Sequence, residues 1–85
     1  LQFSGSRLEL NYDAGAGGFI SVGIFDRNGR PVKGFSQAEC DLLRRNSTAK
    51  TVTWKGKGDV GPLAGKPIRL RITMRDAKLY AFQFL

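Results

Sequence analysis

Histidine is absent from this 85-residue chain, and cysteine occurs once, at Cys40. Without histidine there is no imidazole base to activate a nucleophile and no imidazole ligand for a catalytic zinc. A single cysteine cannot close an internal disulfide, so the fold must rest on packing, and Cys40 itself reads as a small buried hydrophobe. Long apolar runs are missing too. No stretch approaches the roughly 20 apolar residues of a helical membrane span, and no signal-peptide pattern is present. Acidic residues are few: seven, against fourteen lysines and arginines. The acids (Glu9, Asp13, Asp26, Glu39, Asp41, Asp59 and Asp76) fall mostly at turns or strand ends, where capping accounts for them. Glycoside hydrolysis needs two carboxylates held across a sugar, and no such pair is legible. The chain is therefore read as non-catalytic, with no cofactor or metal pattern.

What is present is a basic chain with enough apolar material for one core. Hydrophobic residues make up 41% and the net charge is +7. The charge is uneven. Nine basic residues lie between Arg44 and Arg75 against one acid, Asp59. Such asymmetry suits an anionic partner, and equally a solvated face that keeps a small domain soluble. No nucleic-acid motif interleaves stacking aromatics with these cations, so nucleic acid ranks below the other partners considered.

Period-two alternation dominates and no segment sustains a helical period. Leu8, Leu10 and Tyr12 alternate with Arg7, Glu9 and Asn11, as a half-buried strand requires. Residues 13–18, DAGAGG, read as a flexible connection. Ile20, Val22 and Ile24 share one strand face, which leaves Phe19 and Phe25 on the other. Asn28-Gly29 predicts a type I′ hairpin turn. Ser36 and Glu39 have capping-box spacing for a short helical turn. Residues 44–50, RRNSTAK, read as an exposed loop, followed by a strand placing Val52 and Trp54 on one face. Asp59 through Gly65 read as one capped helical turn with Leu63 plugging the core. Ile68, Leu70, Ile72 and Met74 alternate with the outward Arg69, Arg71, Thr73 and Arg75. Tyr80, Phe82 and Phe84 complete the expected core, closing on Trp54. Short strands punctuated every eight to twelve residues or so predict an all-β domain spanning 1–85, a small antiparallel β-sandwich or jelly roll with one or two helical turns.

One stretch invites a binding reading. Trp54 and Lys55 stand beside glycines, and the next strand alternates Arg69, Arg71 and Arg75. Trp54, Lys55, Arg69, Arg71 and Arg75 are the candidate ligand or interface residues. An exposed tryptophan would make a stacking platform, and a buried one would be core.

The segments NGRPVKGF (28–35), WKG (54–56), LAGKPIRLR (63–71) and LYAFQF (79–84) resemble the C-terminal β-sandwich that follows the β-propeller in certain bacterial glycoside hydrolase-like proteins, relatives of the family 32 glycosidases. The likeness runs through most of the chain and rests on turn and core features. It implies an accessory domain at the C-terminal end of a longer, secreted or periplasmic protein, packed on and stabilising a catalytic propeller and assisting carbohydrate binding. The alternative is a polyanion or nucleic-acid binding module using Arg44–Arg75.

Overall fold

The alternating segments do pair. In the computed structural model, which describes residues 1–85, three strands carry most of the chain: β1 (Leu8–Asp26), β2 (Asn46–Thr51) and β3 (Ile68–Phe84). They form one antiparallel sheet in the order β2-β1-β3. The only helical pieces are 3-10 turns at Gln37–Glu39 and Gly61–Leu63. Both lie where capping chemistry predicts. The Ser36 N–H and hydroxyl donate to the Glu39 carboxylate at 3.2 and 2.9 Å, and Asp59 Oδ1 accepts from the Gly61 N–H at 2.8 Å.

Residues 13–18 are not a connection between strands. Pairing between β1 and β3 passes from Ala14↔Ala77 to Phe19↔Arg75, so residues 15–18 stand opposite Asp76 alone. Asp76 takes a left-handed φ of 47°, and Gly17 one of 78°. The ribbon bends at this bulge. Seventeen residues at about 3.3 Å each would span roughly 56 Å if straight, whereas the molecule is only 35 Å in its longest dimension. Residues 1–3 reach both ends of β3: the Leu1 carbonyl accepts from the Ile68 N–H at 2.8 Å, and Phe3 stacks on Phe84 at 4.0 Å. The bend brings Leu8, Leu10, Tyr12 and Ala14 into one core with Ile20, Val22 and Ile24, joined by Leu43, Val52, Trp54, Val60, Leu63 and Ile68.

Three local expectations are corrected. Residues 46–50, read as loop, belong to strand β2, because the N-terminal half of β1 offers them a ladder. Its polar, mostly exposed side chains hide the strand from hydrophobic-pattern reading. The turn after β1 is not type I′. Only Gly29 has a positive φ, while Asp26 Oδ1 accepts from the N–H groups of Asn28 and Arg30 at 2.8 and 3.0 Å and keeps Asn28 out of the left-handed region.

The third concerns the C-terminal aromatics. Tyr80 is an extra residue between the Asn11↔Ala81 and Tyr12↔Leu79 pairs. Each bulge inverts the side-chain parity, so Ala77 and Leu79 turn inward and Tyr80 lies 61% exposed. Phe82 returns to the core side opposite Leu10 but is 43% exposed, because β3 has no neighbour beyond it. Phe84 is half-buried.

Candidate functional site

Trp54 is core. Its side chain is 1% exposed, its indole N–H donates to the Val22 carbonyl at 2.9 Å, and Phe35 meets it edge-on at 5.2 Å. Phe35 thus takes the place expected for Tyr80, Phe82 and Phe84. A ring so enclosed offers no face to a ligand.

Lys55 stands at the tip of a tight hairpin, where Trp54 and Lys57 exchange backbone hydrogen bonds of 2.8 and 3.0 Å and Lys55 and Gly56 take φ values of 50° and 79°. Asp41 clamps the hairpin. Its Oδ2 accepts from the Thr53 hydroxyl at 2.6 Å and the Gly56 N–H at 2.8 Å, and these two bonds, the hydroxyl first, hold its pKa below the ordinary carboxylate value. Glu39 is lowered likewise, by the Ser36 hydroxyl foremost, with Lys55 Nζ 3.9 Å away. Asp26 is lowered by the Arg30 N–H before its other partners. Each perturbed carboxylate is explained by a turn that it closes.

Arg69, Arg71 and Arg75 project from the outer face of β3 and are exposed. Arg71 lies over the Phe25 ring at 4.8 Å, and Arg44 over Phe19 at 5.9 Å, so both outward phenylalanines are capped by guanidinium groups. The arginines and Trp54 do not converge: the indole is enclosed on the core side and the arginines stand on the opposite face. Of the residues picked from sequence, only the three arginines share an exposed strand face, with Thr73, bonded to the Gln37 amide at 2.6 Å, between Arg71 and Arg75.

Two features escaped sequence reasoning. One is a shallow cleft of about 320 Å³ on the outer sheet face, lined by Asn11, Asp13, Asn46, Ser47, Thr48 and Tyr80 among others. It exists because β2 is a strand and Tyr80 is bulged outward. The other is the flank of β3. Leu70 and Ile72 are half-buried and Met74 is 48% exposed, although all three stand on the core side. The partial cover follows from the strand order, with β3 outermost. Cys40 is buried, its Sγ accepting from the Val22 N–H at 3.3 Å, and burial pushes its thiol pKa up. Every buried side-chain nitrogen and oxygen has a hydrogen-bond partner. Known proteins add nothing to this geometry, since no protein-family profile, curated protein or solved structure matches the chain.

Proposed function

We propose that this chain is a non-catalytic accessory module, a small β-sandwich produced by folding the β1–β3 ribbon over its glycine bulge, that packs on a catalytic β-propeller of a glycoside hydrolase-like protein. The observation that carries this reading is the apolar exposure of β3 on both faces: Met74 and Phe82 are 48 and 43% exposed on the core side, and Tyr80 is 61% exposed on the outer face. Three of the six large exposed apolar side chains thus sit on this one strand, a concentration that marks a surface expecting a partner. The sequence resemblance supplies the kind of partner.

Assistance to carbohydrate binding belongs to the cleft beside Tyr80 and not to Trp54. An exposed phenol ring next to asparagine, serine and threonine side chains offers a stacking face and hydrogen bonds to sugar hydroxyls.

The test is a pair of thermal melts, of the domain alone and of the domain joined to its propeller. Packing predicts a higher melting temperature for the domain in the joined protein, and loss of that gain on combining Tyr80→Ser with Phe82→Ser. Equal melting in both contexts would sink the reading. The polyanion alternative keeps one supporting observation: all nine cations from Arg44 to Arg75 are exposed and only Lys55 has an ion-pair partner. Failure to bind heparin at low salt would remove it.

A further inference from the structure

β1 is bonded on both sides, and the pattern shows which groups of β3 are left free. On the side away from β3, Ile20 exchanges hydrogen bonds with Leu43, and Ile24 bonds Phe35 and Val32. The backbone groups of an antiparallel strand alternate in direction, so Phe19, Ser21, Gly23 and Phe25 are the β1 residues bonded to β3. Their partners are Arg75, Thr73, Arg71 and Arg69. The N–H and C=O groups of Ile68, Leu70, Ile72 and Met74 therefore point outward, to the open edge. No other strand lies there.

Proteins commonly blunt such edges with proline, lysine, bulges or shortness. β2, the opposite edge, is only six residues long, all polar but Ala49, and carries Lys50. Residues 68–75 of β3 are guarded only by the charge of Arg69, Arg71 and Arg75: they hold no proline or lysine and pair with β1 in unbroken register from Asp26 back to Phe19. The edge already accepts chain at one point. The Ile68 N–H donates to the Leu1 carbonyl at 2.8 Å, and the Gly65 N–H donates to the Phe3 carbonyl at 2.9 Å. Residues 1–3 thus run antiparallel to 65–68, and the groups of Leu70, Ile72 and Met74 lie next along the same line.

The side chains beside this edge say what would fit. On the core side stand Leu70, Ile72 and Met74, each partly uncovered. On the other stand Arg69, Arg71 and Arg75, with no acid anywhere in 68–75. A second copy fits poorly, because antiparallel self-pairing of this stretch sets arginine face against arginine face, and like charges across a ladder are destabilising.

We propose that residues 68–75 of β3 are a receptor edge for an extended segment, laid antiparallel, whose residues alternate between apolar and acidic. This rests on the docking reading above and names its mode: strand addition, with the segment supplied by the domain that the module packs on. Backbone bonds to Leu70, Ile72 and Met74 supply affinity, and the alternation supplies register and choice of partner. Apolar side chains extend the core over Leu70, Ile72 and Met74, while carboxylates meet Arg69, Arg71 and Arg75.

The experiment titrates the 85-residue chain with short synthetic peptides of alternating valine and glutamate, and of alternating valine and lysine, following amide exchange by NMR. Binding of the glutamate peptide should slow exchange at Leu70, Ile72 and Met74, with about tenfold or greater preference over the lysine peptide. Ile72→Pro removes an outward N–H together with a half-buried side chain, and, with its fold checked by the NMR spectrum, it should abolish binding. Arg69→Glu with Arg71→Glu leaves the edge in place and should reverse the preference toward lysine. No binding of either peptide, or an unchanged preference in the charge-reversed variant, overturns the proposal even if the propeller-joined melts support docking. Concentration-dependent protection of the same amides without peptide overturns it in favour of a second copy.

Discussion

Trp54 shows how one side chain joins several parts of a small fold. Its ring fills the space between β1 and the segment after β2, its N–H satisfies the Val22 carbonyl, and its backbone closes the Lys55-Gly56 hairpin. Replacement by alanine should cost about 3–5 kcal/mol, the range of large aromatic truncations in cores, and in a domain of this size that approaches the total stability. Denaturant melts check it, with Arg69→Ser/Arg71→Ser as the contrast expected to stay near wild type. The turn carboxylates give a pH prediction. Asp26, Glu39 and Asp41 all titrate below their ordinary values in the folded protein. A depressed folded value means stability that is present above the unfolded value, near pH 4 or so, and is lost as pH falls through the folded one. The denaturation midpoint should therefore decline on acidification below about pH 4. Ser36→Ala should flatten that decline by raising the Glu39 pKa, which an NMR titration reads directly.

At the scale of elements, the glycine bulge in β1 decides the shape. A Cβ on Gly18 would lie 2.5 Å from the Asp76 carbonyl oxygen and 2.7 Å from that of Arg75, both backbone atoms of the paired strand. Neither can yield without breaking the ladder at the bend. Gly18→Ala should destabilise by about 1–3 kcal/mol, as overpacking does. Gly17→Ala meets nothing within 4 Å and suffers only from its left-handed φ of 78°. Melts of the two variants separate steric contact from backbone strain, and a Gly18→Ala protein as stable as wild type would mean that the bend does not depend on this close approach.

For the whole molecule, half of the large apolar groups left outside the core, Met74, Tyr80 and Phe82, lie along β3. Tyr80→Ser should change the stability of the isolated domain by no more than about 0.5 kcal/mol, the usual range at exposed positions. The same change should matter when the domain is joined to a partner that covers it. The contrast with Trp54, a second aromatic of similar size whose loss the isolated fold should not tolerate, is one of position. Both are large rings, and only one is enclosed by this chain.

Much of this was written in the residue order. Alternation in 8–12, 20–24 and 68–74 set the strands and their inward faces, because a period of two has one physical meaning in a pleated chain. Ser36 with Glu39, and Asp59 ahead of Gly61, marked the two 3-10 turns because capping is a local hydrogen-bond affair. The all-β class followed from both. The tertiary structure alone decided which strands became edges, that Asn46–Thr51 pairs, and that 15–18 bulges instead of looping. Those outcomes depend on a partner strand many residues away, and bulges at Asp76 and Tyr80 invert the faces that alternation assigns. Trp54, Lys55, Arg69, Arg71 and Arg75 looked like one candidate surface in the chain and are not one in space. Sequence proximity placed the tryptophan near the basic strand, while the enclosed core put its ring out of reach and left the edge of β3 as the surface still open.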